Sequence, residues 1–268
     1  MSKLDELRKL REKINIKVEG LDNIKKDSTN LFVSNYNLLK DIFYLPMAID
    51  MDIVSMISPR LLYKNEDTRK EVVNRYLNGL PIEAHGGKNY IDICLSSGIE
   101  VLKNNISLAI FPEGAYISED EIHKGRTGAI RMLFSSLDED SSISLIPVAI
   151  DTKKANLDDY SFNHDEVTVK ILEPIDYQDS YEKFSSTSDF NLKCKCLHEV
   201  MDEAMKNISK AINKRYVDSY ISLRPKNNVM FSNGIVLPVD IAQNGYYLDL
   251  YRKETEKKVK EYVKAIKK

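Results

Sequence analysis

The chain has 268 residues, 43% of them hydrophobic and 30% charged, with a formal net charge of −2. That length suits one large α/β domain, or one domain with a helical appendage, and the near-neutral balance excludes a broad nucleic-acid footprint. Three cysteines, Cys94, Cys194 and Cys196, give no disulfide framework and fit a reducing compartment.

The opening segment, MSKLDELRKLREKINIKVEG, is charged throughout and lacks the apolar core of a secretory signal. No run of about 18 apolar residues marks a membrane-spanning helix. The expectation is a cytoplasmic protein, in solution or resting on a membrane surface. Leu4, Leu7, Leu10 and Ile14 recur at helical spacing. They suit either a helix packed on the domain or an interfacial helix lying on lipid. Residues 31–34 read as a short buried strand, and Asn37 as the N-cap of a helix over 38–44.

Residues 53–57 predict a strand, and EDTRKEVVNRYLNG a helix closed by Gly79. Residues 81–84 look extended, and His85-Gly86-Gly87 reads as a turn. NYIDICLSSGIEVLKNN predicts a helix with Gly98 inside it. ISLAIF (106–111), stopped by Pro112, is the continuous apolar run of a strand buried on both faces. A helix over 130–137 follows, then strands at 142–150 and 167–172. Residues 176–190, rich in Ser, Asp and Tyr, read as a loop.

From residue 190 to about 223 the pattern predicts one long amphipathic helix, with Met201, Met205, Ile208, Ile212 and Tyr216 on its apolar side. Cys194 and Cys196 fall in it as free thiols, without the partner pair that a metal site needs. RPKNNVMFSNGIVLPVDIAQNG reads as irregular, and 251–268 as a Lys/Glu-rich helix. Strands alternating with helices predict an α/β fold, with a mostly parallel central sheet flanked by helices. Residues 1–175 form the α/β domain in this reading, and 176–268 a C-terminal helical extension packed on the same domain.

In an open parallel sheet, function gathers at the carboxyl ends of strands. Three such ends stand out: Ser34-Asn35-Tyr36 with Asp41 beyond it, Phe111-Pro112-Glu113-Gly114, and the His85-Gly86-Gly87 turn. HKGRTGAIR (123–131) leads into a helix, where backbone N–H groups with Lys124, Arg126 and Arg131 suit an anion.

Together these segments resemble the glycerophospholipid acyltransferase family, whose best-known member is lysophosphatidic acid acyltransferase, over residues 18–150. VEGLDNIKKDSTNLFVSNY is similar to the family's lead-in to its Asn-His-x-x-x-x-Asp motif. Asn35-Tyr36-x-x-x-x-Asp41 falls on that motif with tyrosine in place of histidine. AIFPEGAYIS resembles the Phe-Pro-Glu-Gly-Thr-Arg-Ser signature, HKGRTGA the Lys-Gly-Ala element, and LIPVAI the fourth block.

The resemblance implies a glycerolipid acyltransferase-like fold. It also implies acyl transfer from an acyl-CoA or acyl carrier protein thioester to a hydroxyl of a glycerol phosphate or lysophospholipid. No metal or prosthetic cofactor is implied; peripheral membrane contact fits a lipid acceptor. The family's histidine is the general base and its aspartate orients that base. The expected catalytic residues are therefore Tyr36, Asp41 and His85. Phe111, Pro112, Glu113, Gly114, Lys124 and Arg126 are the expected substrate-binding residues.

The departures from the pattern carry information. A tyrosine has a reference pKa near 10, and a carboxylate beside it raises that further, so Tyr36 is a poor base. Losing a positioned base costs on the order of 10²–10⁴ in rate. Five residues of ideal helix turn by about 500°, so Tyr36 and Asp41 share a site only if Tyr36 stands on the turn before the helix.

Ala115-Tyr116 occupy the place of Thr-Arg, and His85 the place of the second motif's arginine, so two phosphate-binding guanidinium groups are lost. His85 is open to three readings: a displaced base, a weak phosphate ligand or a turn histidine. His123, His164 and His198 read as surface residues. Two functions remain. One is an active acyltransferase with an atypical site that accepts a hydroxyl or an amine. The other is a catalytically silent homologue that binds an acyl chain, an acyl carrier protein or a membrane surface.

Overall fold

Strands at the centre of a layered α/β fold lose solvent on both faces, so they are built around apolar runs. In the computed structural model, which describes residues 2–25, 28–63, 68–83, 87–115, 120–138, 141–155, 162, 165–221, 228–232 and 235–267, the run at 29–34 holds that place. The strands before the C-terminal third are β1 (Asn15–Glu19), β2 (Thr29–Ser34), β3 (Val54–Ile57), β4 (Asn78–Pro81), β5 (Leu108–Ile110), β6 (Glu121–His123), β7 (Ile143–Lys154) and β8 (Glu166–Ile171). Among the described residues, seven of them form one sheet in the order β1-β8-β7-β2-β5-β3-β4. Every neighbouring pair is parallel except β7 with β8. Leu31 of β2 pairs with Leu145 on one side and Leu108 on the other. Leu31 and Val33 enter one apolar layer and Phe32 the opposite one, as strand alternation requires.

Parallel neighbours need crossovers, which helices supply. The first helices are α1 (Lys3–Arg11), α2 (Asp41–Ile49), α3 (Pro59–Tyr63), α4 (Thr68–Tyr76), α5 (Lys88–Lys103) and α6 (Gly128–Ser136). α1 buries Leu7 and Leu10 in the layer that holds α2 and α4, so its apolar stripe is spent on the domain and not on lipid. Gly79 does not close a helix. It lies inside β4, where an added Cβ would stand 2.4 Å from Leu62 Cδ2 of α3.

The C-terminal third departs most from the sequence reading. The expected loop contains α7 (Gln178–Ser186), whose Tyr181 and Phe184 pack on Phe134 at ring separations of 5.3 and 5.2 Å. The expected long helix stops early, as α8 (Phe190–Ala211). Asn213 then adopts φ 53° in the left-handed region, and β9 (Arg215–Val217) pairs in parallel with β6. The supposedly irregular stretch holds the hairpin β10 (Asn228–Met230) and β11 (Val236–Pro238), then α9 (Val239–Ala242).

The last helix, α10 (Gly245–Ile266), begins before residue 251 because the Asn244 side chain caps it. Met201, Met205, Ile208 and Tyr251 join the same core as Leu31 and Val33. Cys194 and Cys196 are free thiols of α8. No helix among the described residues is long and apolar enough to cross a membrane.

A buried ion pair fixes the entrance to α2. Lys40 Nζ lies 3.1 Å from Asp165 Oδ2, and both side chains are almost wholly enclosed. The Tyr44 hydroxyl donates to the same oxygen at 2.8 Å. Burial, then the hydrogen bond to Asp165 and that residue's charge, push the Tyr44 phenol well above its ordinary value. Asp165 stands just before β8, so the cluster clamps the start of α2 to the far strands. Breaking a buried pair leaves an uncompensated charge. Asp165→Asn should therefore lower stability by about 3–5 kcal/mol in urea unfolding, and a loss below about 1 kcal/mol would contradict this role.

Candidate active site

The site grows from the last residues of β2. The buried side chain of Asn35 mimics a peptide group: Nδ2 donates to the Ile150 carbonyl at 2.9 Å, and Oδ1 accepts the Ile150 N–H at 2.8 Å. Nδ2 also donates to Asn37 Oδ1 at 2.7 Å. The strand end is thus pinned to β7. Next, the Tyr36 N–H donates to Glu113 Oε2 at 2.7 Å. The Asn37 and Leu38 N–H groups both donate to Asp41 Oδ2, at 2.7 and 2.8 Å.

The helix begins at Asp41, with Lys40 as N-cap and no side-chain cap. The cap expected at Asn37 is replaced by the reverse arrangement, in which the first helical residue reaches back to hold the turn. This places Tyr36 on the turn before α2, the only position from which it shares a site with Asp41.

The turn after β5 meets this segment. Gly114 has φ 80°, a region that L side chains rarely adopt, and its N–H donates to the Phe111 carbonyl at 3.1 Å. Glycine is therefore required to close the turn. Glu113 projects inward and its second oxygen, Oε1, accepts the His123 N–H at 2.8 Å. The Phe111 ring lies 5.1 Å from the half-buried Tyr36 ring. The Pro112 carbonyl accepts the Arg126 N–H at 2.8 Å.

Two acids are enclosed here. Burial pushes Asp41 up to about 7, against the opposing N–H bonds from Leu38 and Asn37, the positive charge of Lys214 and the nearness of Thr152. Neither Asp41 Oδ1 nor Thr152 Oγ1 completes a hydrogen bond. Burial likewise raises Glu113 to about 7. The N–H bonds from His123 and Tyr36 oppose that rise, the Asp41 charge adds to it, and Lys214 lowers it.

The basic residues divide. Lys124 Nζ lies 2.8 Å from Asp218 and 3.1 Å from Asp202, so its charge fastens α8 to the segment after β9. Arg126 donates from Nη2 to the Ile221 carbonyl at 3.2 Å and lies 5.4 Å over the Tyr220 ring, while its buried Nε has no hydrogen-bond partner. Arg131 is exposed on α6. The His123 ring faces Glu121 Oε2 at 3.2 Å and the Ser219 carbonyl at 3.3 Å, so the residue serves Glu113 through its backbone. His198 faces Tyr220. His85, Tyr116 and His164 lie outside the described residues. Sequence reasoning missed Lys214, because it falls where the apolar period reads as uninterrupted helix.

A mostly parallel sheet with Asn-x-x-x-x-x-Asp at the end of its central strand and Phe-Pro-Glu-Gly at the end of the adjacent one has the construction of an acyltransferase. The family model described as Acyltransferase matches residues 15–151, about half of the chain, and the chain belongs to that family. Among solved structures it is similar to the 1-acyl-sn-glycerophosphate (LPA) acyltransferase PlsC from Thermotoga maritima, with a TM-score of 0.51 and 21% identity over 77% of this chain and 79% of that one. At that identity the likeness speaks for the fold. A search of curated protein sequences finds no match.

The two raised acids make stability depend on pH. Unfolded, both carboxyls titrate near 4; folded, both hold their protons to about 7. The folded state therefore binds more protons between about pH 4 and pH 7, and this contribution to stability is lost as pH rises through that window. Glu113→Gln removes one of the two titrations. Urea unfolding from pH 4 to pH 9 should show a shallower fall in the variant than in the wild type, and parallel profiles would refute the assignment.

Proposed function

We propose that the protein transfers an acyl group from an acyl-CoA or acyl carrier protein thioester to a hydroxyl or amine acceptor, with a lysophospholipid or glycerol phosphate as the acceptor class. The observation that carries this reading is the 2.7 Å bond from the Tyr36 N–H to Glu113. It joins the two motifs at one point on the carboxyl edge of the sheet. Asp41 and Glu113 titrate near neutral pH, which suits proton transfer there, whereas the Tyr36 phenol is poorly matched to that task. A thioester is already activated, so orientation and electrostatic stabilisation supply much of the acceleration. The Tyr36 and Phe111 rings offer an apolar wall beside the acids. Exposed Ile235, Val236, Ile241 and Tyr246 suit peripheral contact with a lipid surface.

One observation favours a second reading. The base position holds a tyrosine, and the His123 ring is engaged elsewhere. On that reading the protein binds an acyl chain or acyl carrier protein without turning it over.

Thiol release from several acyl-CoA and acyl carrier protein donors, with hydroxyl and amine acceptors, separates the two. Turnover is expected, lowered on the order of 10²-fold or more by Asp41→Asn and by Glu113→Gln, and raised by Tyr36→His. Donor binding with no turnover across the panel would establish the silent homologue, and neither binding nor turnover would reject both readings.

A further inference from the structure

We infer that the outer face of α5 and α10 is a homodimer interface, where two copies of this chain join the two helices of each into a four-helix bundle. The inference stands apart from the acyl-transfer reading.

α5 and α10 run side by side in the same direction. At one end the Tyr90 hydroxyl donates to the Ala242 carbonyl at 2.7 Å, and Asn89 Nδ2 donates to Gln243 Oε1 at 3.1 Å, just ahead of α10. Further along, Cys94 Sγ lies 3.7 Å from the Tyr251 hydroxyl. At the other end Lys267 Nζ donates to Asn104 Oδ1 at 3.2 Å. A groove of about 960 Å³ lies between the two helices on the outer side. α5 has 16 residues and is therefore about 24 Å long. The floor is apolar: Ile93 and Val259 are buried in it, and Leu248 and Val263 are half-buried.

The two walls differ in charge. Asp92 and Glu100 stand on the α5 wall, and Arg252, Lys260 and Lys264 on the α10 wall, which also carries Glu256. Among the described residues no ion pair crosses the groove, and Glu100, Lys260 and Lys264 enter none at all. Asp92 and Arg252 pair only with Lys88 and Asp249 on their own helices. Such solvated pairs contribute little.

An occupant of this groove must offer positive charge to α5 and negative charge to α10, over an apolar strip. A second copy does so when the two-fold axis runs along the groove. That operation lays α5 of one protomer over α10 of its partner, in parallel and at the same height. Counting along both helices from the Cys94–Tyr251 contact to the Asn104–Lys267 bond sets Glu100 level with Lys260. Asp92 falls within about one turn of Arg252. Glu100 then faces the partner's Lys260, and Asp92 the partner's Arg252, while the two floors close into a shared core. An axis across the groove would instead set the basic wall of α10 on its own copy.

The test is sedimentation equilibrium of the full chain over a range of concentrations. The expected species has twice the 30.8 kDa mass of the chain. Glu100→Lys and Lys260→Glu should each weaken dimerisation about 10-fold or more, because symmetry places each clash twice. The double variant, which exchanges the two charges, should restore most of the affinity. Both side chains are exposed, so the variants should keep the thermal unfolding profile of the wild type.

A monomer at every concentration would overturn the inference. So would a dimer that neither single reversal weakens, or a double variant no tighter than the singles. A monomer whose binding to phosphatidylglycerol vesicles falls with Lys260→Glu would also overturn it, and would assign the face to a lipid surface.

Discussion

Glu113 accepts the Tyr36 N–H on one oxygen and the His123 N–H on the other, so one side chain ties the end of β2, the turn after β5 and strand β6 together. A carboxyl in that place meets two opposing demands. Two backbone donors favour its charge, while enclosure disfavours it, and enclosure prevails. Asp41 repeats the arrangement, accepting two N–H groups from the loop it follows, and burial likewise pushes its pKa up. The site is thus a set of backbone donors organised by two acids, with the aromatic side chains arranged around it.

That construction explains why parts of the site were legible in the sequence. The order of Asn35, Asp41 and the Phe-Pro-Glu-Gly turn along the chain is set by strands β2 and β5, which are adjacent in the sheet, so the motifs meet because the strands do. Gly114, expected from the resemblance as a substrate-binding residue, takes a positive φ that closes the turn after β5. The assignment of Asn37 as a helix cap failed because the helix starts later: Asn37 Oδ1 accepts Asn35 Nδ2, and Asp41 reaches back to the Asn37 and Leu38 N–H groups. Local propensity cannot distinguish a cap that reaches forward from a carboxylate that reaches back.

The C-terminal third was less legible, and the reason is physical. Ile212 and Tyr216 continue the helical spacing of Met201, Met205 and Ile208, yet the chain leaves the helix at Asn213. A short parallel pairing with β6 rewards that exit, and pairing partners far apart in sequence leave no trace in periodicity. Lys124 misled for a related cause: its sequence neighbours suggest an anion site, while Asp202 and Asp218, distant in the chain, claim its charge.

The β6–β9 ladder has three register pairs and is separate from the main sheet. Side chains along a strand alternate, so displacing the pairing by one residue would send every side chain to the opposite face. A single deletion between the end of α8 and Arg215 would spare the main sheet yet offset this ladder, turning Tyr216 to the other face beside the strand whose His123 N–H holds Glu113.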